Sequence, residues 1–487
     1  MLIFAILTAF AAINAENFSV NDEDGLRAAF VSIGGASSDP SHTITVDGTI
    51  NLLAQINYLG LNDKDIVIRG ISNAIITSSV SDTLFNLGGN NLALTLQDIT
   101  LQDDGNYGLI QFQGSALIIN SGTFTSGGTN SLIRTTDADV TIGATAAPVF
   151  IGVKILEIAN TAPVGINPYR TVVITRGTFQ LPAGSGSAGI QIVINNAAAT
   201  FGINTTVSPT FTGLELLQVT GSTLNVAFST IVATNLEVID VRNANLVVNR
   251  GNLSGTATNG LQILISQTSA VTIGGQNTTN PTFANLDVIT VDISQLNVLG
   301  GAFTARNPQA TLITATNSDV NIGRVAAPTP TLTFSASKVL DVTGGTLNIY
   351  RGTLTGINPD TAIITTLETP VFIGGGPAAI FNGAKALDIT NGSLNITNGT
   401  FTGQSNLDLA IITLRNVSAV IGSGFFPTFA GYNILDTYNG SLNLNGGVSR
   451  QIETYQTPGT IWTFNDTIVT IGLPLDQYAS STPMFQG

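Results

Sequence analysis

Residues of the kinds that do chemistry are scarce in this chain, so their spacing carries the functional reading. There is no cysteine, a single histidine (His42), and 30 acidic side chains against 16 basic ones. Thiol nucleophiles, disulfides and cysteine-bound zinc are therefore excluded. Asp103-Asp104 is the only adjacent pair of aspartates, and neighbouring carboxylates are groups that can divide general acid and general base work. A second acidic set, Asp341, Asp388 and Asp436, recurs behind a leucine at the same place in alternate repeats.

Two further patterns bear on surface chemistry. A triplet closes most repeats, as Thr123-Phe124-Thr125, Thr210-Phe211-Thr212, Thr353-Leu354-Thr355 and Thr400-Phe401-Thr402, with partial forms at Thr282-Phe283-Ala284, Ala302-Phe303-Thr304 and Thr428-Phe429-Ala430. Strand alternation turns the central Phe or Leu inward and the flanking residues outward, as a flat file of hydroxyls and methyls. Such a file resembles the threonine arrays of some ice-binding proteins, although Asn252-Leu253-Ser254 and Ala378-Ala379-Ile380 interrupt it. The strand propensity of threonine on a solvated face is the plainer account. The other pattern is sugar attachment: among ten Asn-x-Ser/Thr sequons, those at Asn277, Asn391 and Asn439 fall at expected corners and are the candidate glycosylation sites.

The elements that position these residues are set by a repeat. LDVTGGTLNIYRGTLTG (Leu340 to Gly356) returns as LDITNGSLNITNGTFTG (Leu387 to Gly403), alternating with a V-x-I-G phrase such as VTIGGQNTTNPTF (Val271 to Phe283). The glycines of that phrase, Gly274, Gly323, Gly374, Gly422 and Gly472, lie 49, 51, 48 and 50 residues apart. Two coils thus take about 49 residues, within the range of repeat architectures. Apolar and small polar residues alternate in runs of three to five, separated by Gly, Asn and Ser clusters that tolerate tight corners. The expectation is an all-β chain, a single-stranded parallel β-helix (β-solenoid) of roughly 18 coils stacked about 4.8 Å apart. A propeller is the competing architecture, but its blades need longer strands and hairpin turns.

The ends differ from the repeats. MLIFAILTAFAAINA (residues 1–15) is apolar and ends in small residues; too short to span a bilayer comfortably, it reads as a secretory signal peptide, despite having no basic residue before Arg27. Residues 16–41 form a cap with one short helix over Asp22 to Ile33, where Leu26, Phe30 and Ile33 share a face and acids fill the first turn. Residues 42–487 hold the β-helix repeats, closing on an atypical, aromatic-richer coil at Ile461 to Phe464 and Tyr478 to Phe485. The net charge of -14 and pI near 4.3 argue against a nucleic-acid partner, and no later apolar run reaches membrane-spanning length.

A short amphipathic helix followed by HTITVDGTINL (His42 to Leu52) resembles the opening of the pectin-lyase-like parallel β-helix superfamily, where the helix caps the open core. Many members cleave acidic polysaccharides, and the resemblance implies where to look for such activity. Polygalacturonase-like members share N-T-D, D-D, G-H-G and R-x-K motifs; here Asp103-Asp104 stands without G-H-G or R-x-K, and His42 precedes the repeats as a polar residue opening the first strand. Pectate-lyase-like members use a calcium-binding carboxylate cluster. The Asp341, Asp388, Asp436 column would space its carboxylates about 10 Å apart, too far to share one calcium. The expected function is accordingly a secreted structural or adhesive surface protein of cell, matrix or particle, with no cofactor and no catalysis. Carbohydrate binding or carbohydrate-active chemistry is the alternative, and ice binding a minor one.

Overall fold

The computed structural model describes residues 16–35, 41–78, 81–105, 107–161, 170–183, 189–202, 208–227, 229–233, 239–255, 260–275, 280–307, 309–325, 332–403, 409–422, 427–431, 433–445, 448–450, 462–471 and 484–486. They form a mostly β chain, a parallel β-solenoid with one short helix near the N-terminus. Two compact units are distinguished, one running to residue 183 and the other beginning at 189 among the described residues. In each, a turn lays down three strands on three faces, and each strand pairs in parallel with its equivalent one turn away. The 46 strands among the described residues count as about 15 turns at three strands per turn. That division undercounts, because several strands, including Ser41–Leu52, Asp65–Ser78, Thr311–Ile322 and Lys338–Ile349, bend through a corner and serve two faces.

The stacking is in register, residue on equivalent residue. On the first face the V-x-I and L-N-I phrases fall on one another, giving inward columns Val271, Leu296, Val320, Leu347, Val371, Leu394 and Ile273, Val298, Ile322, Ile349, Ile373, Ile396. The glycine that follows turns the corner: Gly274 has φ of +80°, and a Cβ there would lie 2.5 Å from the amide nitrogen of Gly300. The corner between third and first faces also takes a left-handed residue in one turn after another. Asn317, Gly344, Glu368, Asn391, Asn416 and Asn439 supply it, with φ from +48° to +69°. Asparagine tolerates this region because its short side chain bonds locally.

The second face carries the rings. Phe283, Phe303 and Phe334 stack at 4.8 and 4.7 Å, and Phe381, Phe401 and Phe429 at 4.6 and 4.9 Å, with Leu354 between the two sets in register. In the N-terminal unit Phe124, Phe150 and Phe179 stack at 5.0 and 4.8 Å. Phe124, Phe211, Phe283, Phe303, Phe401 and Phe429 point inward and are buried, as the triplets predict, and Phe179 is buried with them. The repeat closing after Gly376 needs correction: its triplet is Ile380-Phe381-Asn382, so the ring file is intact where the sequence pattern reads as broken.

The helix spans Glu23–Gly34, with Asp22 as its N-cap accepting from the Gly25 amide at 2.7 Å. Leu26, Ala29, Phe30 and Ile33 are buried, and the Phe30 ring stacks on Tyr58 at 5.3 Å. Glu23 ties the helix to the first turn by accepting from Arg27 and from the Leu53 amide at 2.8 Å. Before the helix, Glu16–Val20 is a strand that pairs with residues 42–46 as the lowest rung of the first face, an element the sequence pattern does not reveal. Residues 1–15, assigned to a signal peptide, lie outside the described residues, as does most of Tyr478 to Phe485.

Ring stacking fixes which strand residues face the core. Phe381→Ala should cost about 3–5 kcal/mol, as for other buried rings, and so should Phe401→Ala, whereas Thr402→Ser should cost well under about 1 kcal/mol as a surface change. Urea melts of the three variants check this; equal tolerance of all three would mean the faces are misassigned.

Candidate binding pocket

The chemically promising acids are placed by the fold in ways that occupy them. Asp103 ends the strand Ile99–Asp103 at an inward position, 2% exposed. Its carboxylate accepts from the amides of Gly105 (2.9 Å), Tyr107 (3.0 Å) and Gly108 (3.3 Å) and from the Ser126 hydroxyl (3.4 Å). Asp104 points the other way, exposed, and accepts from Gln102 Nε2 at 2.8 Å. Adjacent in sequence, the two carboxylates do not converge on a common point. His42 is on the first face in another turn, buried, with its Nδ1 3.8 Å from the Glu16 carboxylate.

The aspartate column is real and spaced as expected. Down the third face the outward sequence is Thr314, Asp341, Thr365, Asp388, Thr413, Asp436, Thr463, with the acids two rungs apart. Each is held by a residue three positions earlier: Lys338 on Asp341 at 2.9 Å, Lys385 on Asp388 at 2.6 Å, and Asn433 on Asp436 at 3.2 Å. Arg415 adds a second cation to Asp388. Among the described residues no group of three or more His, Cys, Asp or Glu is arranged to hold a metal ion, and no helix is long and apolar enough to cross a membrane.

The threonine triplets present two outward columns on the second face. In the C-terminal unit one of them reads Asn252, Thr282, Ala302, Thr333, Thr353, Ile380, Thr400, Thr428, with no charged side chain. Of the sequons, Asn391 and Asn439 are exposed at left-handed corners, while Asn277 lies outside the described residues. Asn416, a sequon between them in the same corner column, donates from Nδ2 to Asn391 Oδ1 at 2.9 Å.

A pocket appears where no motif announces one. In the N-terminal unit about 380 Å³ is enclosed by Thr83, Tyr107, Gln111, Ser131, Arg134, Lys154 and Glu157, among others. Gln111, Arg134 and Glu157 are register partners on three successive rungs of the third face. Lys154 holds Glu157 at 2.8 Å, the same lysine-to-acid spacing as in the aspartate column; Ser131 donates to it at 2.7 Å, and Arg134 Nε lies 3.7 Å away. Tyr107, 40% exposed, forms a wall. Its loop is anchored by Asp103 through the Tyr107 and Gly108 amides and by the Thr83 hydroxyl, which donates to the Tyr107 carbonyl at 3.1 Å. The buried aspartate thus positions an aromatic ring at the rim of the pocket.

Burial opposes ionisation of Glu157, but the hydrogen bonds from Lys154 and Ser131 and the charges of Lys154 and Arg134 outweigh it and hold its carboxyl below the ordinary range. Sequence reasoning missed this site because its residues come from separate turns. The available signals were Lys154-x-x-Glu157, matching Lys338-x-x-Asp341, and Tyr107, an aromatic in the loop after the aspartate pair.

No protein-family model matches the chain, and no curated protein matches it in sequence.

A carboxyl with a depressed pKa contributes stability that is present above its unfolded-state pKa and lost as pH falls through the folded value. Lowering the pH from 7 to 3 should therefore destabilise the protein, and Glu157→Gln should lose less stability over that interval than the native chain. Urea unfolding at the two pH values checks this; an unchanged pH dependence in the variant would contradict the clamp.

Proposed function

We propose that this chain is a secreted, non-catalytic structural or adhesive surface protein, of the adhesin-like kind within the pectin-lyase-like parallel β-helix superfamily. One observation carries the reading: the acids that could have formed a catalytic set are committed to the scaffold. Asp103 holds three backbone amides, and Asp341, Asp388 and Asp436 each hold a partner three residues earlier on the same strand. A general acid or base must be free to reach a proton on substrate. Carboxylates engaged in this way serve geometry.

The superfamily assignment is supported by the capping helix, the turn of about 24 residues and the left-handed corner residue recurring along the C-terminal turns. A surface role is supported by the regular, charge-poor second face, and by the apolar leader, which suits export. Such a solenoid presents long repetitive faces to cell-surface, matrix or particle components.

Incubation with pectin, alginate and related uronate polymers, with and without calcium, should yield neither unsaturated nor reducing ends, and antibody labelling should find the protein on the outside of intact cells or particles. Depolymerisation abolished by Asp104→Asn, a change at an exposed side chain, would overturn the non-catalytic reading.

A further inference from the structure

We infer that Asn439 is a site of spontaneous deamidation in the folded protein, and that Asn416 shields a near-identical site, Asn391, from the same reaction. Asparagine followed by glycine is prone to this change because glycine has no Cβ to obstruct attack by its own amide nitrogen. Water is the only co-reactant. The Gly440 nitrogen loses its proton to water and bonds to Asn439 Cγ, while Nδ2 takes up a proton and leaves as ammonia. Water then opens the five-membered imide. Cleavage of the bond to Cγ gives aspartate; cleavage of the bond to the main-chain carbonyl gives isoaspartate, with the backbone routed through the side chain.

Local sequence does not rank the sites. Four Asn-Gly pairs lie wholly within the described residues, at Asn382, Asn391, Asn398 and Asn439. In two of them the glycine is buried and its N–H is engaged. Gly383 donates to the Thr402 carbonyl at 3.1 Å. Gly399 donates to Asn398 Oδ1 at 2.9 Å, and Asn398 Nδ2 in turn donates to the Gly376 carbonyl at 3.0 Å. The other two pairs are close copies. Each opens the phrase Asn-Gly-Ser-Leu-Asn, over 391–395 and 439–443. Asn391 and Asn439 are both exposed at the same corner, with φ of +53° and +51°. The glycines pack alike: a Cβ would lie 2.4 Å from the Thr369 carbonyl oxygen at Gly392 and 2.3 Å from that of Val417 at Gly440.

One hydrogen bond separates the two. Asn416, the corner residue one rung beyond Asn391, donates from Nδ2 to Asn391 Oδ1 at 2.9 Å. The Asn391 carboxamide must break that bond to swing onto the Gly392 nitrogen. One rung beyond Asn439 the register places Asp466, between the pairs Tyr438 with Asn465 and Gly440 with Thr467. An ionised carboxylate has no hydrogen to donate, and the Asn439 carboxamide makes no hydrogen bond among the described residues, so it turns freely. A hydrogen bond is worth about 0.5–1.5 kcal/mol net, which as a barrier difference is about three- to tenfold in rate. The product also matters to the fold. Aspartate at 439 sets a second carboxylate about 4.8 Å from the rung of Asp466, and like charges at that spacing destabilise a strand pair.

The test is peptide mapping by mass spectrometry after the full chain has been held folded in mildly alkaline heavy-oxygen water. The chain is produced without glycans, since a sugar on Nδ2 would block the reaction. Asn439 should convert to a mixture of aspartate and isoaspartate, each carrying one heavy oxygen, about three- to tenfold faster than Asn391. Asn416→Gly keeps the left-handed corner and removes the donor, so it should raise the Asn391 rate to that of Asn439 with circular dichroism unchanged. In urea the two native sites should react at the same rate, because their neighbours in sequence are the same. Equal rates at Asn391 and Asn439 in the native fold, an Asn391 rate indifferent to Asn416→Gly, or an Asn439 that converts only in urea would overturn the inference.

Discussion

The structure depends on one constraint: each strand must pair in parallel, and in register, with the equivalent strand one turn away. Because side chains alternate across a strand, a slip of one residue would exchange the core and solvent sets. Register therefore converts each inward position into a column, and a column packs best when like stacks on like. The Val/Leu and Ile/Val columns of the first face and the phenylalanine stacks of the second are this rule expressed in sequence. The alternating V-x-I-G and L-N-I phrases are two solutions to the same packing problem on successive turns.

The same constraint governs polar groups. Serine hydroxyls stitch the corner between third and first faces by accepting from backbone amides: the Ala244 amide donates to Ser269 Oγ at 3.2 Å, the Ser269 amide to Ser294 Oγ at 3.2 Å, and the Ser294 amide to Ser318 Oγ at 3.1 Å. On the outward side Asn348 donates to Asn321 and Asn321 to Asn297, each at 2.9 Å. Polar atoms that repeat at strand spacing satisfy one another turn by turn, which answers the cost of burying them. It also explains why so few charged groups are left for chemistry. A carboxylate placed in such a lattice is readily recruited by an amide or a neighbouring lysine, as Asp103 and Asp388 are. In the pocket around Arg134 the carboxylate of Glu157 is recruited in the same way, by Lys154 and Ser131, and a guanidinium is left half in solvent.

Much of this was legible beforehand. The glycine period sets the turn length, the Thr-x-Thr triplets and their partial forms set the orientation of six phenylalanines, and the alternate-turn spacing of Asp341, Asp388 and Asp436 is the one the register shows. Phe150, Phe334 and Phe381 escaped because their flanks, Val149 and Ile151, Thr333 and Ser335, Ile380 and Asn382, lack the triplet. An inward position tolerates varied outward neighbours, so a pattern built on the neighbours undercounts the file. Asp103 takes the inward side that alternation assigns it, with Ile99 and Leu101; it escaped because a carboxylate is not an expected core residue, and the loop's amides are what satisfy it there. The strand Glu16–Val20 was hidden because a single rung has no repeat to reveal it. The pocket was hidden because Gln111, Arg134 and Glu157 are neighbours only through register.

The register is most directly measured by cross-linking, for which a chain without cysteine is well suited. Ile380 and Thr400 are partners on adjacent rungs, about 4.8 Å apart at strand spacing, within the Cα separation a disulfide accepts. Thr353 and Thr400 are two rungs apart, near 10 Å, beyond that reach. Mild oxidation of the Ile380→Cys, Thr400→Cys pair should close a disulfide quantitatively with the fold retained, while the Thr353→Cys, Thr400→Cys pair should stay reduced. The reverse result would place Phe381 outside the ring file and contradict the register on which the faces, the aspartate column and the pocket all rest.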